Sequence, residues 1–538
     1  MGTQALGVLT GVDLSVLNTN VKAEISRRFS SFLDAVCTAT KRATFYNTAE
    51  DQADAVVKAH KELMKLDRGV YAATLMLPGV TDYSRQVAIA GLLANPIKND
   101  SRSIVTPELE FKMIKWFVEN VEPQRALKLF QTFGGVKKDG VRTGQIHNSR
   151  TERIILGYYL NAESLPFWCV KYRRKLRNVF RHAWGLRTST LVFELLKKPD
   201  AELTSKEKRI LRFRLDRFVD RDRRNLATIH ECVRFIFGDE ENLTHSKLKQ
   251  FVKAKTNLSA GKGLPIETLE GLRGRYHKDT ATKADVLELA KRGGMSERKK
   301  MQVQKQAKAA GVKVAFDPTK QRIVDLYVYA YEQGMTKKIA DACDKKAKEI
   351  AEKLPLKFDK VAVVVDASGS MFGHKTQKLR PMAVALAVRD VLRYVAVECV
   401  VFQSSGRSMK DKTGKLIFPE GDSSVVEALL DAVEAEPDVI FVISDGYENA
   451  PAGRFAEVVH LLRKIGNTTP IYQINPVMAA ETESVRELSV DVTSLPVSTP
   501  DRLGIPMLKA MFSANVEQGV RVLMGMTMPM LENGKEVK

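Results

Sequence analysis

Asp366-Ala367-Ser368-Gly369-Ser370 sets one carboxylate and two hydroxyls at alternate positions of a short loop. All three are hard oxygen donors, suited to Mg²⁺ or a similar divalent cation rather than to zinc. A second carboxylate, Asp445, follows the apolar run Val439–Ile443 and Ser444, and the polar loop Gly421-Asp422-Ser423-Ser424 lies between the two. The residue types and their order suggest a cation site built from Asp366, Ser368, Ser370 and Asp445, with Asp422, Ser423 and Ser424 of the polar loop all open as a further ligand. A lone Asp-x-Ser-x-Ser is also a common capping turn. Its recurrence with a second acidic loop, each after a buried strand, favours the metal.

Other chemistry has little support. Gly134-Gly135 and Gly140 lack the Gly-Lys-Ser/Thr ending of a phosphate loop. No nucleophile–base constellation or paired-carboxylate motif stands out, and one Asp-x-Ser-x-Ser site offers too few carboxylates for a two-metal nuclease. The chain is therefore read as a binding protein, not an enzyme.

A second group of residues suits phosphate. Residues 171–230 hold 18 Lys and Arg against 7 Asp and Glu. From Lys171 to Trp184, Tyr172, Leu176, Val179, Phe180 and Ala183 form an apolar stripe at helical spacing, leaving Lys171, Arg174, Lys175, Asn178 and Arg181 or His182 on another face; Arg177 of the same run is also a candidate RNA contact. Within 209–224, Arg214, Arg217, Arg221 and Arg224 recur at i, i+3, i+7 and i+10. Like charges at helical spacing repel unless a partner neutralises them, and the arginine fork suits phosphate. The alternative is a solvated face softened by Asp216, Asp220 and Asp222. Trp168, Trp184 and Tyr276 are candidate base-stacking residues but fit a core equally.

The elements that must position these groups fall into two regions. Val361–Val365 is an unbroken run without polar alternation, the mark of a strand buried on both faces of a parallel sheet. Strands are expected at 361–366, 394–402, 439–445 and 469–474, with helices at 379–391, 425–433, 455–465 and 485–488, which is a doubly wound α/β pattern. Before Pro355 the period is near 3.6. Helices are expected at 23–43, 53–65, 81–93, 107–120, 123–133, 321–334 and 336–353, with Pro107 and Pro123 in first turns. Their lengths and short breaks suggest stacked antiparallel pairs, as in an α-solenoid. Residues 134–148 and 243–262 read as polar breaks, 295–308 as a basic mobile arm or solvated helix, and 504–530 as a closing helix plus tail. The expected division is an all-α domain over 1–355 and an α/β domain over 356–538.

Composition narrows the class. At 538 residues the chain exceeds one hydrophobic core. No apolar run reaches the roughly 20 residues that span a bilayer, and Met1–Asn20 lacks the pattern of a secretory signal. Five scattered cysteines fit free thiols in a reducing compartment, so a cytoplasmic protein is expected. The net charge is +21, but residues 356–538 carry 20 basic and 23 acidic side chains, so the whole excess, +24, lies in 1–355. Such localisation is the footprint of a polyanion partner.

The Asp-x-Ser-x-Ser, hydroxyl loop and late Asp resemble the metal-ion-dependent adhesion site of von Willebrand factor A domains, with Ser423 where that family usually has Thr. Joined to a basic helical region, the chain resembles the Ro autoantigen family (TROVE-domain proteins), as a bacterial or phage member. The resemblance rests on Pro318–Gly334, on Ile339–Glu352 leading through Pro355 into Asp366-Ala-Ser-Gly-Ser-Met371, on Leu264-Pro265 to Leu272-Arg273-Gly274, and on Arg174-Lys175-Leu176-Arg177 with Trp184. It implies a ring of HEAT-like helical repeats closed by the A-like domain and a monomer without membrane contact. It also implies binding of small noncoding Y-type RNA and of the single-stranded 3′ ends of misfolded RNAs, and a tethered exoribonuclease such as polynucleotide phosphorylase. The competing expectation is a metal-dependent protein-interaction module without RNA binding.

Overall fold

The structure is a computed structural model that describes residues 19–38, 48–77, 80–95, 106–138, 141–143, 145–220, 225–354, 358–374, 379–404, 409–448, 451–477, 485–500, 503 and 515–533. The architecture is helix-rich, with a small five-stranded parallel sheet in the C-terminal region. Two compact units divide the chain: residues 1–88, 97–120 and 321–538 form one, and residues 89–96 and 121–320 the other. The boundary expected after 355 falls inside the first unit, and Pro355 itself lies outside the described residues.

In the first unit, the strands are β1 (Phe358–Val365), β2 (Ala396–Gln403), β3 (Val439–Ile443), β4 (Ile471–Asn475) and β5 (Thr493–Pro496), ordered β2-β1-β3-β4-β5. All pairings are parallel. The side chains of a strand alternate faces. Ala362, Val364, Ile440 and Val442 thus meet Val425, Leu429, Phe455 and Val459 from the Val425–Glu434 and Arg454–Lys464 helices in one buried core. The Arg380–Val395 helix also packs on β1 and β2. Four strands fall close to their expected places. The fifth is only four residues long and ends in Pro496, and proline inside a strand pattern argues against a strand except at an edge. The expected helix at 485–488 does not form. Four residues are too few to offset the cost of helix nucleation; instead Val485 and Leu488 are buried, and the Leu488 N–H donates to Gln473 Oε1 at 2.9 Å.

The helices of this unit begin where the capping chemistry says they should. Thr106 accepts from the Leu109 N–H ahead of Pro107, and Thr48 makes a reciprocal capping box with Asp51. Expected helices at 23–43, 53–65 and 107–120 appear as Thr19–Thr38, Ala49–Leu66 and Pro107–Glu119, while residues 39–43 lie outside the described set. A helix at Arg68–Met76 escapes the periodicity because a single residue separates it from its neighbour: Asp67 ends one helix and caps the next, its carboxylate accepting from the Val70 N–H at 2.8 Å. The fully buried Arg85 donates to the carbonyls of Leu75, Leu77 and Asn120, so one guanidinium satisfies the ends of two helices, with its face against Trp116. The Val516–Asn533 helix packs on Arg68–Met76, and Thr19–Thr38 on β5.

The Ile323–Gln333 and Lys337–Ala351 helices also belong here and pack on Arg380–Val395. Tyr327, fully buried, donates its hydroxyl to Asp390, which is paired with Arg389 at 2.7 Å. Tyr331 donates to the Ile417 carbonyl at 2.6 Å, and Lys415 pairs with Asp344 at 2.6 Å.

The second unit is helical apart from a hairpin of Val136–Lys138 with Val141–Thr143, where a structureless break was expected. Its centre is the Leu165–Trp184 helix, which packs against Ser149–Leu160, Leu186–Lys197, Leu226–Phe237 and Ser246–Lys253. The expected polar connection at 243–262 thus contains a helix with Leu248 fully buried. The stretch 295–308 is neither an arm nor a solvated helix. It folds as two short helices, Glu297–Gln302 and Gln304–Ala309, burying Met301, Val303 and Ala307. In both cases single apolar residues anchor the segment while most of its lysines are exposed or paired with acids, as Lys255 is with Glu240 and Lys300 with Glu297, a pattern that charge density masks.

We expect Tyr327→Phe to lower the stability of the full chain by about 1–3 kcal/mol, because a buried carboxylate loses a donor. Denaturant unfolding followed by circular dichroism measures this; an unchanged midpoint would show that Arg389 alone satisfies Asp390.

Candidate functional site

β1 pairs with β2 on one side and β3 on the other, so the chain order reverses between β1 and β3. Open α/β sheets bind ligands in the crevice beyond the carboxyl ends of the strands at such a point. Asp366 is the first residue past β1, and its N–H donates to the Ile443 carbonyl at 3.0 Å, continuing the ladder by one rung. Asp445 lies two residues past β3. Strand order alone thus brings together two carboxylates 79 positions apart.

The hydroxyls converge on the pair. Asp366 Oδ1 accepts from the Ser423 hydroxyl at 3.1 Å and from the Ser368 N–H at 2.9 Å, and Oδ2 accepts from the Ser444 hydroxyl at 2.7 Å. Ser370 donates to Asp445 Oδ1 at 3.1 Å and lies 3.0 Å from the Ser368 hydroxyl. All five predicted metal-site residues therefore share one hydrogen-bonded cluster, each less than a tenth exposed. Of the loop alternatives, it is Ser423 that reaches Asp366; Asp422 is exposed.

Two members of this cluster are not anticipated by the motif. Ser444 bonds Asp366 directly, and Ser404, the residue after β2, accepts from the Ala367 N–H and donates to Ser423. Ser444 directly follows the apolar run Val439–Ile443 whereas Ser404 follows Gln403, and neither position tells from sequence which atom the hydroxyl reaches. Two glycines let the loops close. Gly369 donates to the Gly421 carbonyl at 2.7 Å, and Gly446, at φ +83°, has the Arg486 carbonyl only 2.3 Å from where a Cβ would stand.

Burial pushes the Asp366 carboxyl up. Asp445 is raised to about 7, first by burial and then by the negative charge of Asp366, despite the Ser370 hydroxyl that favours its ionised form. Two carboxylates and three hydroxyls at one recessed point form an oxygen-only set short of positive charge, which fits a hard divalent cation. Among the described residues, no cluster of three or more His, Cys, Asp or Glu side chains could hold a metal, so a site here rests on the two carboxylates and their hydroxyls.

The predicted phosphate-binding residues separate into three groups. Arg174, Lys175 and Arg181 are exposed on the Leu165–Trp184 helix, whose buried side carries Leu176, Val179, Phe180 and Ala183 as expected. Others are occupied within the fold. Arg177 donates to the Ile236 carbonyl at 2.8 Å, joining Arg173 in capping the C-terminus of Leu226–Phe237. Lys171 pairs with Glu267 at 3.3 Å, and His182 bonds the Ile146 carbonyl at 2.9 Å. Trp168 and Trp184 are core residues.

Of the expected row Arg214, Arg217, Arg221 and Arg224, the two described residues, Arg214 and Arg217, do not share a helix face. The helix ends at Arg214, Leu215 leaves helical geometry at φ −127°, and Asp216–Phe218 is a 3₁₀ turn. The break is held by Trp184 Nε1, which donates to the Arg214 carbonyl at 2.9 Å, and by Asp216, bonded to His230 at 2.8 Å. Arg217 lies near Glu152, at 3.5 Å, and Arg221 and Arg224 lie outside the described residues.

Among the described residues, no helix is long and apolar enough to cross a membrane. Neither protein-family models nor curated proteins match this sequence.

A carboxyl whose folded pKa is raised holds its proton in the native state after the unfolded chain has lost it, so it withdraws stability as pH rises from about 4 through 7. Asp445→Asn removes this effect. Its melting temperature should gain on wild type between pH 5 and pH 8, by an amount equivalent to roughly 1–3 kcal/mol. Thermal melts in chelator at the two pH values measure it, and parallel shifts in both proteins would count against a shared charge.

Proposed function

We propose that the chain is a non-catalytic RNA-binding scaffold of the Ro type: a basic, HEAT-like helical region joined to a von Willebrand A-like domain. The carrying observation is that Arg174, Lys175 and Arg181 are exposed on a helix whose other side is buried, in a region holding the whole positive excess of the chain. None of these three meets an acidic side chain among the described residues, so the repulsion within the row is left for a polyanion to relieve. The partners on this reading are Y-type noncoding RNA and single-stranded 3′ ends of misfolded RNA, with an exoribonuclease as protein partner. A cytoplasmic monomer fits the free thiols.

The same reading gives Asp366, Ser368, Ser370, Ser423 and Asp445 the task of holding Mg²⁺ or another divalent cation. Bound there, the cation supplies the positive charge that the two buried carboxylates lack. The chain's own residues orient the set: Ser444 and the Ser368 N–H fix the Asp366 carboxylate, and Ser404 fixes Ser423. An acidic partner side chain would complete such a shell. This supports the second reading, a metal-dependent protein-interaction module, independently of RNA.

Two experiments separate the readings. Replacing Arg174, Lys175 and Arg181 together by Gln should weaken binding across RNA sequences, because phosphate contacts carry no base information. The slope of log affinity against log salt should flatten by roughly 0.7 for each single-strand phosphate no longer neutralised. An unchanged slope means this row is only a solvated face. Asp366→Ala should abolish Mg²⁺ binding in calorimetry while leaving RNA affinity within about twofold, and joint loss of both in a folded variant would refute the division of labour. A wild-type chain with no salt-dependent RNA affinity leaves the protein-interaction reading alone.

A further inference from the structure

The Ser205–Arg214 helix buries a single residue, Leu211. Arg209, Arg212 and Phe213 are all exposed, with Arg209 and Phe213 one turn apart and Arg212 beside them. Phe213 leaves 53% of its surface in water. The Arg217 guanidinium lies 4.2 Å and the Arg214 guanidinium 5.2 Å from its ring centroid. This edge of the fold is firmly held, since Leu215 is fully buried, its N–H donates to the Leu211 carbonyl at 2.8 Å, and Trp184 holds the Arg214 carbonyl. An aromatic ring is thus presented on an ordered support with cations around it.

Charge decides which partner such a ring suits. Residues 205–217 carry six basic side chains, Arg217 included, and two acidic ones. Both acids are engaged: Glu207 caps its own helix and pairs with Lys198, and Asp216 bonds His230. Arg209 and Arg212 meet no acidic side chain among the described residues. The surplus calls for a polyanion, and the ring calls for a flat, apolar face. An unpaired nucleotide offers both, whereas the base faces of a duplex are already stacked.

We propose that Phe213, flanked by Arg209, Arg212 and Arg217, is a base-stacking platform for single-stranded nucleic acid. This rests on the RNA-binding reading above and adds to it a site that engages bases rather than only phosphates. The ring takes one base face, and Arg209 and Arg212 take the neighbouring phosphates.

The test uses the full-length chain with two fluorescent RNA 12-mers, oligoadenylate and an abasic strand of the same phosphate backbone, and a polyglutamate peptide as an acidic control. Phe213→Ala should weaken oligoadenylate binding between about 5-fold and about 100-fold, with the salt slope unchanged. Phe213→Trp should restore binding, Phe213→Leu should not, and the abasic strand should bind wild type and Phe213→Ala alike. Arg209→Gln with Arg212→Gln should weaken both strands and flatten the slope. Equal oligoadenylate binding by wild type and Phe213→Ala overturns the platform while leaving the RNA reading intact. Equal losses on both strands also overturn it, since the ring would then act by something other than stacking. A wild-type chain that binds neither strand removes platform and RNA reading together. Polyglutamate binding that depends on Phe213 when oligoadenylate binding does not reassigns the surface to an acidic protein.

Discussion

Two carboxylates buried side by side are the constraint on which the α/β region turns. Asp366 and Asp445 cannot both ionise freely out of water, and the fold nevertheless brings them together where β1 and β3 end. Everything near them mitigates that penalty. Serine hydroxyls and the Ser368 and Tyr447 N–H groups surround the pair, and Gly446 lets its loop approach where a side chain could not. Retaining such a cluster in place of an apolar plug is destabilising. That sacrifice is reasonable for a binding site and hard to justify as scaffolding.

Polar groups are put to a further use in the helical regions, where recessed arginines close helix ends, Arg173 pairing with Glu240 as well. Arg85 closes two helix ends at once, and Arg173 and Arg177 close a third. These arginines are part of the folding chemistry. They differ in use from Arg174, Lys175 and Arg181 on one helix and Arg209 and Arg212 on another, which are exposed. Net charge overstates a binding surface when part of it caps helices, and burial separates the two uses.

The first compact unit assembles segments from both ends of the chain. The Val516–Asn533 helix packs on Arg68–Met76, and the hydrogen bond from Tyr327 to Asp390 ties the helices before the sheet to the helix after β1. The loops that carry Asp366 and Asp445 therefore sit on a sheet supported by helices that a division at residue 355 would remove.

Features whose signal is local can be read from the chain directly. An unbroken β-branched run means a strand buried on both faces, so Val361–Val365 and the acidic loop after it are legible, as are Ser368, Ser370 and Asp445. The apolar stripe of Leu176, Val179, Phe180 and Ala183 marks the core side of its helix for the same reason. Which distant atoms meet is a matter for the folded state. Periodicity reports that a residue is buried, not against what, so Ser444 and Ser404 enter the cluster unannounced and Ser423 is distinguished from Asp422 only by its hydrogen bond to Asp366. Arg214 and Arg217 do not share a helix face, and Trp184, thirty residues before Arg214, binds the carbonyl where the helix stops. Strand order and long-range hydrogen bonds are properties of the folded chain, and no window of sequence contains them.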